Sequence, residues 1–209
     1  MSQLPGNPAP ANLIFVHIQK TGGSSISHAL KQPHHPPHKH WFAPELRELV
    51  GVEAWDRATK FTFVRNPWDR LVSWWSMIDR ARVMQRPGIK MNNFFTYVLG
   101  NASTFEEFIL KCPEDIQDLD GRKCVFRNQL DYVMDDAGNL MVDFIGKFEN
   151  LQDDFNKLTE ISGLPASVLE RRNPSVHKPY QDYYSATTRD AVEQAYQKDI
   201  AHFGYRFEG

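Results

Sequence analysis

Leu13-Ile-Phe-Val-His-Ile-Gln-Lys-Thr-Gly-Gly-Ser-Ser25 is the stretch on which the fold turns. Its apolar half, Leu13–Ile18, is too short for the h-region of a secretory signal and reads as a buried strand. Gln19–Ser25 follows, small, polar and glycine-bearing, and then a helix from about Ser24 to Leu30. A strand that runs into a glycine-rich turn and on into a helix is a physical device for holding anions. Gly22 and Gly23 let the backbone come close to a phosphate. The N–H groups and dipole at the start of a helix favour negative charge. Lys20 adds a point charge, and Thr21, Ser24 and Ser25 add hydroxyl donors. Charge-assisted hydrogen bonds of this kind contribute about 1.5–3 kcal/mol each. The glycines alone would also suit a plain turn with a serine N-cap. An NTPase loop, Gly-x-x-x-x-Gly-Lys-Ser/Thr, carries its lysine after the glycines; here Lys20 precedes Gly22, so this is a different motif.

Further along stands a second constellation, Phe61-Thr-Phe-Val-Arg-Asn-Pro-Trp-Asp-Arg-Leu-Val-Ser73. Phe61–Val64 reads as another buried strand, followed by an aromatic-rich helix through about Arg82. Arg65 falls where the strand ends, which is where open α/β sheets bind ligands. Pro67 and Asp69 suit the start of the helix, and Ser73 lies about two turns in, where one helix face could bring it back toward Arg65. An Arg65–Asp69 ion pair with Ser73 as a packing residue would also satisfy the pattern. Asp143–Phe148 is a third strand, and Asn150–Ser162 a helix stopped by Gly163-Leu-Pro165. Short helices are expected over Pro44–Val50 and over Phe105–Lys111, the latter capped by Thr104. Arg82–Asn93 reads as basic and irregular, Asn173–Tyr180 as a loop, and Thr187–Phe203 as one last amphipathic helix. Strands alternating with helices imply an α/β fold with a mostly parallel sheet, with a frayed tail over residues 1–11 and one domain over 12–209.

Composition bounds the partners. The 209 residues carry a net charge of −2, so bulk charge does not hold the chain on nucleic acid and any anion site is local. No apolar run approaches the ~20 residues a membrane span needs. Having only Cys112 and Cys124 argues against a disulfide framework, and a reducing cytoplasm is the default compartment, although a pair so spaced could bridge in an oxidising one.

Phe15–Ile26 resembles the 5′-phosphosulfate-binding motif of sulfotransferases, and Phe61–Ser73 resembles their 3′-phosphate-binding motif. Phe144-Ile-Gly-Lys-Phe-Glu-Asn-Leu-Gln-Asp-Asp-Phe155 and Asp199-Ile-Ala-His-Phe-Gly-Tyr-Arg-Phe207 are similar to blocks of the branch with heparan 2-O-, chondroitin and HNK-1 carbohydrate sulfotransferases. The resemblance implies a three-layer α/β fold with a P-loop-like phosphate loop. It also implies 3′-phosphoadenosine 5′-phosphosulfate (PAPS) as donor, adenosine 3′,5′-bisphosphate (PAP) as product, and no required metal. Carried over by position, Lys20, Thr21, Gly22, Gly23, Ser24 and Ser25 would hold the 5′-phosphosulfate, and Arg65 and Ser73 the 3′-phosphate. Lys178, in a late loop, could touch the 3′-phosphate too. The acceptor would be a hydroxyl, on a glycan or glycolipid. The chain departs from the Golgi members in having no anchor or long stem.

Sulfuryl transfer needs an in-line nucleophile, with positioning and charge stabilisation doing most of the work. Lys20 would neutralise charge growing on the leaving oxygen. A base that takes the acceptor proton contributes about 10²–10⁴-fold, and the family places one, often histidine, soon after the first helix. His38-Lys-His40 resembles the paired histidines of the 2-O-sulfotransferases. In an extended segment both rings would point the same way. His40 is the first choice, because it adjoins the apolar Trp41-Phe42 step; His38 is the second. Metal binding by His34, His35, His38 and His40 is a rival use of this loop, disfavoured by its prolines. Arg80, Arg82, Arg86, Lys90, Arg122, Lys123 and Arg127 could line a groove for an acidic glycan or simply be solvated. Trp74 and Trp75 read as core, and Glu149 as a brace near the site. The competing functions are a nucleotide-dependent kinase of related fold, which should show the glycine-first loop, and a nucleotide-binding module that has lost catalysis.

Overall fold

The computed structural model describes residues 12–32, 38–84, 91–118, 121–170, 172 and 177–208. The tail over 1–11, His34, His35, Arg86 and Lys90 lie outside the described residues. Three parallel strands form the central sheet: β1 (Leu13–Phe15), β2 (Thr59–Val64) and β5 (Phe144–Lys147), in the order β1-β2-β5. Phe15 stands opposite Phe61, and Phe61 opposite Phe144. β1 is shorter than Leu13–Ile18. Val16 still donates to the Phe61 carbonyl at 2.9 Å, but the chain then bends into the glycine turn and leaves the ladder.

The period of two sorts side chains onto the two faces. Phe61 and Phe63 pack with Ile26 of α1 (Gly23–Ala29) and with Phe155 and Leu158 of α7 (Leu151–Ile161). Val16, Ile18 and Val64 face the other way. They meet Ala43 and Leu46 of α2 (Ala43–Val50), Trp55 of α3 (Val52–Arg57) and Phe203 of α9 (Gln197–Phe203). Helices therefore cover both faces of the sheet, giving the three-layer α/β arrangement that strand–helix alternation implies. A third apolar cluster lies along α4 (Pro67–Met84), where Trp68, Leu71, Trp74, Trp75 and Ile78 are buried. It packs on α5 (Asn93–Asn101), α6 (Phe105–Lys111) and α8 (Ala186–Ala195).

Local signals explain the boundaries. Thr104 Oγ1 accepts from the Glu107 N–H at 3.2 Å and starts α6. Gly163, at φ 66°, ends α7, and Leu164 N–H returns to the Thr159 carbonyl. Two expectations need correction, and two elements are additional. Arg82–Asn93 is not all irregular, since α4 continues to Met84 and α5 begins at Asn93, capped by Asn92 through a 2.7 Å bond from Phe95 N–H. α3 is an additional short helix. A small antiparallel hairpin, β3 (Ile116–Asp118) and β4 (Gly121–Lys123), pairs Ile116 with Lys123. The last helix is two helices, α8 and α9, broken at the fully buried Tyr196, which sits at φ −102°, ψ 22°. The break lets Tyr196 reach the Val125 carbonyl and lets Asp199 turn onto the 128–130 segment. Among the described residues no helix is long and apolar enough to cross a membrane.

Candidate active site

The turn after β1 is built by backbone geometry that the sequence order dictates. Lys20 at φ 69° and Gly22 at φ 86° both occupy the left-handed region. Gly23 is required for a different reason: a Cβ there would lie 1.9 Å from His17 Nε2. Thr21 is fully buried, and its hydroxyl donates to the Ile18 carbonyl at 2.9 Å, so it closes the turn on itself. Ser24 is half-buried; Ser25 is buried and its Oγ accepts from Arg172 N–H at 3.2 Å. Beneath the turn, Arg70 of α4, 2% exposed, donates from Nε to the Gln19 carbonyl at 2.9 Å and from Nη1 to the Arg127 carbonyl at 3.2 Å. Tyr132 donates to Gln19 Oε1 at 2.6 Å. A buried guanidinium thus holds the entry to the loop through backbone oxygens. Sequence reading passed over Arg70 because an arginine on a helix is ordinarily a solvated charge.

The second loop is fixed just as tightly. Gln129 accepts from Arg65 N–H at 2.9 Å and donates back to the Arg65 carbonyl at 2.8 Å. Asp199 accepts from Gln129 N–H at 2.7 Å and from Leu130 N–H at 2.9 Å. Burial pushes the Asp199 carboxyl up, against those N–H groups, which hold it down. Glu149 takes Asn66 N–H at 2.6 Å and the Tyr205 hydroxyl at 3.2 Å, a brace beside the site. Arg65 is buried and does three things at once. Its Nε pairs with Asp69 at 2.8 Å, its Nη1 reaches the Lys20 carbonyl at 3.2 Å, and its guanidinium lies 4.0 Å over the Phe148 ring. The ion pair with Asp69 and the approach to the first loop therefore coexist.

Ser73 is buried on α4. One turn further on, Met77 Sδ meets Lys20 Nζ at 3.5 Å, so the helix face carrying Ser73 and Met77 fronts the first loop. The Lys20 ammonium is lowered to about 8, chiefly by burial and further by Arg65 and Arg80. No carboxylate among the described residues pairs with it. A buried lysine flanked by cations, on a turn with a glycine that leaves no room for a Cβ, is an arrangement suited to a polyanion.

The structure separates the two candidate histidines. The 38–41 segment is a turn closed by Trp41 N–H on the His38 carbonyl at 3.3 Å, not an extended strand, so the rings do not share a direction. His38 is exposed, with its ring 6.4 Å from Trp41. His40 is buried, with Nδ1 3.0 Å from the His17 carbonyl. A carbonyl only accepts, so in the neutral ring Nδ1 carries the hydrogen and Nε2 carries the lone pair. The partner brought to His40 is His17, whose ring is 4.8 Å away, edge-on, and 4.8 Å from Phe15 in a stack. Strand alternation places His17 on the Phe15 face, and that signal could have found it.

Other expected residues sit apart. Lys178 is exposed and makes no side-chain hydrogen bond or ion pair among the described residues. Trp74 and Trp75 are core. Most of the basic residues considered for a glycan groove have structural partners. Arg82 donates to the Ala102 carbonyl, Lys123 is buried against Asp118, and Arg122 and Arg127 share Asp115. Cys112 and Cys124 are free thiols. No group of metal-binding side chains occurs among the described residues.

Comparison with known proteins agrees with this geometry. The family model described as sulfotransferase family matches residues 9–206. The fold is similar to a crystal structure of mouse sulfotransferase SULT7A1 complexed with PAP. The TM-score is 0.55 at 14% identity, over 93% of this chain and 85% of that one. No curated protein matches the chain.

Proposed function

The chain belongs to the sulfotransferase family, and from that premise we propose that it moves a sulfuryl group from PAPS to an acceptor hydroxyl, on a glycan or glycolipid, with His40 as base. The observation that carries the reading is the junction of the two loops: Arg65 of the second reaches the Lys20 carbonyl of the first at 3.2 Å. Two anion-binding strand ends this close suit one ligand with phosphates at both ends. In this reading Lys20, Gly22, Gly23 and the serines hold the 5′-phosphosulfate, and Arg65 and Ser73 hold the 3′-phosphate. Thr21 acts by closing the turn, since its hydroxyl is spent on Ile18.

PAPS, when bound, supplies a sulfuryl group whose bond to the 5′-phosphate oxygen breaks as the bond to the acceptor oxygen forms. His40 Nε2 takes the proton from that acceptor oxygen, and the Nδ1 bond to the His17 carbonyl orients the ring and favours the imidazolium that results. Lys20 stabilises the charge that grows on the phosphate oxygen. Calorimetry with PAP, AMP and ATP tests the donor site: PAP should bind far more tightly than either. Equal affinity for AMP would mean that Arg65 and Ser73 form no 3′-phosphate site. A radiolabelled-sulfate transfer screen across glycans, glycolipids and small alcohols tests the acceptor.

A further inference from the structure

β1 is an edge strand, and along its free edge runs a groove of about 300 Å³ between α1 and α2. That volume falls at the lower end of small-molecule sites. Leu13, Ile14 and Phe15 form its floor, and Leu46, Leu49 and Val50 of α2 form one wall. Six apolar side chains make up most of its lining, and its polar residues are His17, Ser27, Gln32, His38 and Lys39. His17 links this lining to the proposed transfer site. His17 packs its ring against Gly23 of the phosphate loop and edge-on to His40, and it presents the carbonyl that orients His40. The apolar lining also reaches the surface. Leu49 and Val52 are each 52% exposed and Val50 is 39% exposed, on neighbouring turns of α2 and α3. Exposed apolar patches that run into a cavity mark binding surfaces.

We propose that this groove holds the apolar body of the acceptor, so that the preferred acceptor is an amphiphile: a hydroxyl-bearing head joined to an aliphatic chain. The proposal rests on the sulfotransferase reading and narrows its acceptor. The head hydroxyl sits at the histidine end, within reach of His40, and the chain lies along β1. Most of the cations that could have gripped an acidic polysaccharide are already committed to Asp115, Asp118 and backbone carbonyls, whereas Leu49 and Val50 of the apolar wall are exposed. Burial of a chain in such a groove is driven by the area removed from water and needs no further charge.

The test uses n-alkyl β-glucosides of increasing chain length, below micelle-forming concentrations, with the full chain loaded with PAP. Calorimetry reads binding, and labelled PAPS reads transfer. Affinity should rise roughly two- to fourfold per added methylene until the groove is filled. Leu49→Asp should remove that dependence while leaving PAP affinity unchanged; Leu49 is exposed and lies outside the transfer machinery, and the retained PAP affinity reports that the variant has folded. Alkyl glucosides that bind no better than methyl glucoside would overturn the proposal. So would a dependence that survives Leu49→Asp. If the dependence appeared only after removal of residues 1–11, the chain's own N-terminal segment would be the occupant and the proposal would fall. Failure of PAP itself to bind would sink the sulfotransferase reading instead, a distinguishable result.

Discussion

At the scale of single residues, Lys20 carries the sharpest consequences. Its ammonium sits at about 8 because it is buried beside Arg65 and Arg80. A bound polyanion reverses that environment and raises the value, so binding near and above pH 8 captures a proton. PAP affinity should fall as pH rises past about 8. Calorimetry in two buffers of different ionisation enthalpy should show proton uptake in the native chain and none in Lys20→Met. That variant should lose about 10²–10³-fold in turnover, the scale of removing one oxyanion donor, with a smaller change in affinity. Affinity and turnover that fell together would mean the lysine acts only in binding. His40→Ala should abolish most turnover and keep PAP binding, while His38→Ala should at most raise the acceptor KM. Full turnover in the His40 variant would move the base to His38. The types and order of Lys20, His38 and His40 were legible because these side chains announce their chemistry, and their roles are what these variants test. His17 was legible only through its alternation with Phe15, because the strand ends at Phe15 and the approach to His40 is a tertiary contact.

At the scale of elements, the strand–turn–helix unit is held by its neighbours as much as by its own sequence. Gly23→Ala would drive a methyl into the His17 ring, moving the carbonyl that orients His40. Turnover should drop more than PAP affinity, and an unchanged rate would show that the ring yields without cost. Arg70→Lys replaces a planar fork with a point charge that cannot serve Gln19 and Arg127 together. The loss should be about 1–3 kcal/mol of stability, read by urea unfolding. The three strands, α1, α4 and α7 were legible because periodicity and turn residues agree in them. The hairpin β3–β4 was not, since its strands, Ile116–Asp118 and Gly121–Lys123, are short and polar and form no apolar run. The split between α8 and α9 was hidden for a related reason. An amphipathic run continues through Tyr196, and what breaks it is a tertiary bond from the tyrosine hydroxyl to Val125.

At the scale of the whole molecule, the C-terminal segment finishes what the N-terminal strands begin. Asp199→Ala removes the acceptor for Gln129 and Leu130. A loss of about 3 kcal/mol would lower Tm by about 6–12 °C for a chain of this size, and PAP at a hundred times its Kd should restore about 2.7 kcal/mol. A Tm within a degree of the native value would show that Gln129 holds Arg65 unaided. The same anchoring has a consequence in time. The chain is made from its N-terminus, so both loops leave the ribosome long before Asp199, Tyr205 and the Arg206 carbonyl, on which Gln129, Glu149 and Asn66 depend. Ligand competence then waits until residues 199–206 have been made. Nascent chains stalled before residue 199 should pass through an immobilised-bisphosphate column on which the released protein is retained.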